Sequence, residues 1–178
     1  VRIIGGQYKG RNFTLPKGLP VRPTTDFAKE GLFNILNNRV DLDGAKILDL
    51  FSGTGHISLE FASRGAGAVT AVDLHTKCVA FLRSAAAEVD APIQTIKSDV
   101  FSFLKSAIGS YDLIFADPPY DLPNIPEIHQ WIMDKNLLNE NAWLIIEHGP
   151  RTNLSELAGF KDQRKYGNVN FSFFQKTV

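Results

Sequence analysis

Five short apolar runs, "KILDLF", "AVTAVD", "IQTIK", "YDLIFAD" and "AWLIIEH", recur between Lys46 and His148. Helical stretches separate them: residues 56–64, Thr76 to Val89, 101–107, and a fourth through "IHQWIMDKNL". Strands joined through helices run parallel and need a helical layer on each face, so this alternation predicts an α/β domain. The tail departs from the pattern. "FKDQRKYGNVNFSFFQK" reads as two strands around a "GN" turn, with Val169, Phe171 and Phe173 alternating against Asn170 and Ser172 before Phe174 breaks the alternation. An antiparallel hairpin closing the sheet is expected there.

The first forty residues form a separate unit. "VRIIGGQYKGRNFTLP" predicts a short strand, a glycine turn and a second short strand. "KGLPVRPTT" is a loop, because Pro20 and Pro23 oppose regular hydrogen bonding. Thr24 or Thr25 can cap a helix starting near Asp26, with Ala28, Leu32, Phe33 and Leu36 on one face. Residues 1–40 are therefore expected to be an arm plus leading helix, and 41–178 the main domain. The length of 178 residues suits one domain with a small appendage, and 44% apolar content argues against disorder. A lone cysteine, Cys78, rules out an internal disulfide framework and points to a reducing, cytoplasmic setting. No long apolar run follows a basic start, so neither a signal peptide nor a membrane span is expected.

Nineteen basic and nineteen acidic residues cancel, but they are not evenly spread. Residues 1–31 hold six Lys or Arg against two acids, residues 32–150 eight against fifteen, and residues 151–178 five against two. Two basic ends around an acidic middle can make a focused binding face; the bland alternative is two solvated ends.

The loop after the first buried strand, "DLFSGTG", runs from Asp49 to Gly55. Gly53 and Gly55 permit a tight turn and close backbone approach. A dinucleotide fingerprint needs a third glycine where Ser58 stands, and no triphosphate-binding lysine motif is present. Asp73 closes the second strand, where a carboxylate can accept from ribose hydroxyls, and Asp99 follows the third, where it can meet an adenine amino group. Asp49 can orient an ammonium or a nearby backbone group. Carboxylates after three successive strands converge on one sheet edge and suit an adenosine without phosphate, which points to S-adenosyl-L-methionine. The alternative is a tight turn with strand-end carboxylates facing water.

"DPPY", Asp117-Pro118-Pro119-Tyr120, follows the fourth strand on that same edge. The prolines stiffen the backbone and remove its amide donors while leaving carbonyl acceptors. An exocyclic amine needs such acceptors: Asp117 and the Pro118 carbonyl can hold its hydrogens, and Tyr120 can stack on the base. That is positioning chemistry, with the activated methyl supplied by the cofactor. No metal is required, and His56, His75, His129 and His148 show no ligand spacing. The other reading of the tetrapeptide is a rigid strand-to-loop turn with a packing aromatic.

Taken together, "RIIGGQYKGR", "RPTTDFAKEGLFNIL", "DLFSGTG" and "DPPY" resemble the bacterial 16S ribosomal RNA guanine-N2 methyltransferase family that acts at guanine 966, over essentially the whole chain. The resemblance implies a class I methyltransferase fold, Rossmann-like with helices on both faces, plus a small basic N-terminal β-hairpin arm. It implies cofactor contacts at Asp49, Phe51, Ser52, Gly53, Gly55, Asp73 and Asp99, a catalytic segment at Asp117 to Tyr120, and Arg22, Pro23 and Thr24 beside the active site, Thr24 on the cofactor side. The implied substrate is 16S rRNA in an assembled or partly assembled small subunit, presented with help from ribosomal proteins to a monomeric enzyme. Arg2, Lys9, Arg11, Lys17 and Arg22 are the expected phosphate contacts. Asp73 stands where a glutamate is common in the family, and Ser52 and Thr54 where Ala and Ser are common; the turn should survive these swaps. An adenine-N6 methyltransferase, a protein-glutamine methyltransferase and a non-catalytic assembly factor are the competing readings.

Overall fold

The computed structural model describes residues 1–19 and 25–177, so Arg22 and Thr24 lie outside the described residues. The elements are α1 (Asp26–Arg39), β1 (Lys46–Leu50), α2 (His56–Ser63), β2 (Ala68–Asp73), α3 (Thr76–Glu88), β3 (Ile93–Lys97), α4 (Val100–Ser106), β4 (Tyr111–Ala116), α5 (Ile125–Asp134), β5 (Leu138–His148), β6 (Phe160–Tyr166) and β7 (Val169–Phe174). They build one seven-stranded sheet in the order β3-β2-β1-β4-β5-β7-β6. Strands β1 to β5 are mutually parallel, and β7 runs antiparallel between β5 and β6.

Period-2 alternation within the strands feeds two cores. Leu48, Leu50, Ile114, Ala116, Leu144 and Ile146 face α4 and α5, whereas Ile47, Leu113, Phe115 and Ile145 face α1 and α2. Burial on both faces explains why the parallel strands read as unbroken apolar runs. Strand β7 obeys the same logic. It is an interior strand, so Asn170, Ser172 and Phe174 are buried on one face while Phe171 and Phe173 are buried on the other. Its polar members are satisfied: the Ser172 hydroxyl lies 2.7 Å from His148 Nε2, and Gln163 Nε2 donates to Asn170 Oδ1 at 3.2 Å.

Three boundaries depart from the sequence reading. Helix α5 spans Ile125–Asp134, not 128–137, because Asn136 adopts a left-handed φ of 52° and Leu137 and Leu138 turn into the sheet. Strand β5 accordingly starts at Leu138, four residues before the "AWLIIEH" run. Helix α4 starts at Val100, with Asp99 as its N-cap accepting from Ser102 N at 2.9 Å.

The arm folds back on itself, but it forms a single bridge, Arg2 to Asn12, flanked by a few backbone hydrogen bonds, where two strands were expected. The backbone amides of the turn that joins the two ends go to α2. Glu60 accepts from Ile4 N at 3.0 Å and Gly5 N at 2.9 Å, Ser63 Oγ accepts from Tyr8 N at 2.9 Å, and Ser63 O accepts from Gln7 N at 2.8 Å. Gly6 sits so close that a Cβ there would stand 2.0 Å from the Ser63 carbonyl oxygen. Ile3 and Phe13 complete a third core with Leu59, Ala71, Leu82 and Ala85. Helix α1 begins at the Thr25 cap, whose side chain accepts from Ala28 N at 3.2 Å, and buries Ala28, Leu32, Phe33 and Leu36.

Candidate active site

Strand order reverses between β1 and β4, and in an open parallel sheet the crevice beyond the strand ends at such a point is where ligands bind. Here the reversal joins the glycine loop to the "DPPY" segment: Leu50 pairs with Ala116, and Asp117 N donates to Leu50 O at 3.2 Å. The loop itself is tightly wound. Phe51, Gly53 and Gly55 adopt positive φ of 57°, 55° and 81°. A Cβ on Gly55 would stand 2.3 Å from Leu82 Cδ1, whereas one on Gly53 would meet nothing within 4 Å. Gly55 thus lets the loop press on α3, and Gly53 leaves its outer face open.

Asp73 ties this loop to the next. One carboxylate oxygen accepts from Gly53 N and the other from His75 N, both at 2.8 Å. A carboxylate has about four lone-pair sites, so acceptor capacity remains for a ligand hydroxyl. The resulting cleft, about 790 Å³, is lined by Phe51, Ser52, Gly53, Asp73, Asp99, Asp117 and Pro119, together with Leu74, His75 and Lys77. Three of the carboxylates expected to converge do so. The cleft has open glycine backbone on one wall and carboxylates on three strand ends, which fits a cationic, phosphate-free adenosine ligand and opposes a pyrophosphate. Among the described residues no group of three His, Cys, Asp or Glu stands ready to hold a metal ion.

The family described as conserved hypothetical protein 95 matches residues 1–175. Ribosomal RNA small subunit methyltransferase D of Escherichia coli strain K12 is 35% identical over 154 residues, covering 83% of this chain and 71% of that one. The namesake from Buchnera aphidicola subsp. Baizongia pistaciae is 30% identical over 148 residues, covering 83% and 75%. The solved structure of Escherichia coli yhhF superposes with a TM-score of 0.88 at 30% identity, covering 99% of this chain and 97% of that one. The chain belongs to the ribosomal RNA small subunit methyltransferase D family. It is an S-adenosylmethionine-dependent methyltransferase with the class I, Rossmann-like fold.

Other residues of the chain have surroundings that the sequence did not show. Asp49 does not line the cleft. It is 1% exposed between β1 and α2, and the Ser58 hydroxyl donates to it at 2.6 Å. Ser58, which breaks the dinucleotide fingerprint, therefore anchors the strand end behind the loop. Tyr120 is turned toward the end of β5. Its hydroxyl donates to Glu147 Oε2 at 3.1 Å, and its ring covers Gly149, where a Cβ would stand 2.7 Å from Tyr120 Cδ2. Pro118 is buried, and the Pro119 carbonyl accepts from Leu122 N at 3.0 Å, closing the turn. Glu147, at the end of β5 and 1% exposed, was missed. The strand-end rule that found the other carboxylates would have found it in "IIEHG". Of the arm cations, Arg2 pairs with Asp26 and Arg11 with Glu88, both at 2.9 Å, while Lys9 and Lys17 are exposed.

Burial pushes the Asp49 carboxyl up to about 7, opposed by the Ser58 hydrogen bond and reinforced by the charge of Asp73. The sign for stability follows. Between the unfolded value near 4 and about 7 the folded state binds the extra proton, so this group favours folding as pH falls across that window and opposes it above. Asp49→Asn keeps an acceptor for Ser58 and cannot ionise. Its stability relative to the parent should rise by on the order of a few kcal/mol between pH 5 and pH 8. Urea unfolding at the two pH values reads this directly, and a pH-independent difference would remove Asp49 as the cause.

Proposed function

We propose that this enzyme methylates the exocyclic N2 amine of a guanine in 16S rRNA of the small ribosomal subunit, at guanine 966 by correspondence with its family. The observation that carries the reading is the junction of Asp117-Pro118-Pro119-Tyr120 with the glycine loop at one sheet edge. When bound, S-adenosylmethionine would supply a methyl group activated on a sulfonium; Phe51, Ser52, Gly53, Asp73 and Asp99 line the cleft and would hold it. Asp117 would accept a hydrogen from the target amine, orient the nitrogen lone pair and draw off the proton lost as the nitrogen gains its methyl. Tyr120, held by Glu147 and Gly149, would limit rotation of the base. The neighbouring arm would place Arg2, Lys9, Arg11 and Lys17 on rRNA phosphates, with Arg22 and Thr24 close to the reacting base. The enzyme would work as a monomer in the cytoplasm, without a metal, on assembled or partly assembled subunits with ribosomal proteins in contact. No described helix is long and apolar enough to cross a membrane.

The test is incubation with unmodified small subunits and methyl-labelled S-adenosylmethionine, followed by mapping and nucleoside analysis. Label in N2-methylguanosine at one 16S position is expected. Label in N6-methyladenosine would transfer the site to the adenine reading.

A further inference from the structure

The basic excess of residues 151–178 has no part in the site described above. Insertion of β7 between β5 and β6 carries the hairpin tip to the catalytic edge of the sheet. His148, at the end of β5, pairs with Asn170; Asn170 in turn pairs with Lys165, and Val169 with Tyr166. One row of register runs Glu147–Phe171–Arg164 across β5, β7 and β6, beginning beside the Tyr120 anchor. Two steps further out, Tyr166 leans on Phe171, with centroids 6.1 Å apart, and meets Phe27 edge-on at 5.5 Å. Tyr166 is locked by close packing, since a Cβ on Gly31 would stand 2.3 Å from its ring. Phe27, in the first turn of α1, is 64% exposed, although Ala28, Leu32, Phe33 and Leu36 of the same helix are buried.

Charge accompanies this aromatic pair. Residues 160–174 carry Lys161, Arg164 and Lys165 against one acid, Asp162. That acid is already bonded by Arg39 at 2.7 Å and Arg164 at 2.9 Å. The N-terminal arm packs against the β2 side of the sheet, through Ala71 and Leu82, and the hairpin lies beyond β5 on the other side. Asp117, following β4, stands between them.

We propose that Phe27 and Tyr166, with Arg164 on the same face of the hairpin, form a docking surface for a single-stranded stretch of the substrate RNA next to the target nucleotide. A base stacks on the exposed Phe27 ring, held in place by Tyr166, while Arg164 takes an adjoining phosphate. RNA is then gripped on both sides of the catalytic corner, by the arm and by the C-terminal hairpin. The surface rests on the RNA substrate proposed above.

Two measurements test it. Protein carrying Phe27→p-benzoylphenylalanine is irradiated with unmodified small subunits, and the cross-link is mapped. A cross-link to 16S rRNA close to the methylated nucleotide is expected; one confined to a ribosomal protein, or none, overturns the proposal. Phe27→Ala should raise KM for subunits by roughly tenfold, with kcat, donor affinity and thermal stability unchanged, and Phe27→Tyr should restore it. A wild-type KM in Phe27→Ala overturns the docking surface and leaves the function standing. Wild-type protein inactive on subunits would fell the proposed function, and the surface with it.

Discussion

Asp117→Asn is expected to lower kcat for rRNA methylation by a factor of about one hundred to ten thousand, the range seen when a positioned acid–base group is removed. The substitution keeps the shape of the side chain and the backbone bond from residue 117 to Leu50 O, which stitches β4 to β1. What changes is the hydrogen-bonding sense. A carboxylate only accepts, whereas the amide presents an NH₂ group that opposes the two hydrogens of an exocyclic amine. Pro118 and Pro119 offer no amide donors, so the two residues after Asp117 present only carbonyl acceptors. Donor affinity should hold, because Asp73 and the glycine loop lie on the β1 and β2 side of the cleft. The decisive pair of readings is single-turnover rate on unmodified subunits and equilibrium binding of the methyl donor. A variant with the parent's rate would take Asp117 out of the chemistry; one that binds donor poorly would make it a cofactor residue instead.

The parallel sheet was legible because strands covered on both faces leave unbroken apolar runs, and the carboxylates at their ends stood out against them. Asp73, Asp99 and Asp117 were therefore found by position alone, and they line one cleft. The same rule does not show what surrounds Asp49. Alternation along β1 turns its side chain toward α2, and only the fold shows Ser58 meeting it there. Tyr120 and Glu147 lie 27 residues apart, so their contact depends on β5 packing beside β4, a tertiary fact with no local signature. The hairpin was visible in the tail, but an interior place for β7 was not, since insertion between β5 and β6 reverses the order that sequence neighbours would suggest. The arm pairs its two ends antiparallel as expected, but what anchors its turn was not visible. Its glycines signal a turn, and the polar groups that satisfy the backbone around it belong to a helix more than fifty residues away.

Glu60→Ala should destabilise the fold by about 3–5 kcal/mol, the cost of leaving a buried charge without its partner. Glu60 has no exposed surface. It accepts from Ile4 N, Gly5 N and Arg64 Nε, and it lies 3.5 Å from Lys29 Nζ. Burial lowers the Lys29 ammonium pKa, with Glu60 the main opposing influence. Removing Glu60 strands that ammonium, only 3% exposed, beside two unsatisfied arm amides. Lys29→Met should be milder, about 1–2 kcal/mol, because Glu60 keeps Arg64 and both amides when the Lys29 ion pair and the Lys29 bond to the Arg2 carbonyl are lost. Urea unfolding of the two variants gives the order, and an equal or reversed cost would show that the arm is held by something other than Glu60. The same helix also opens at the glycine loop, with Gly55 as its N-cap, and braces Asp49 through Ser58. Freeing the arm at Glu60 should therefore loosen RNA binding before donor binding, with protease cleavage within residues 1–19 rising and the β1 end still braced by Ser58.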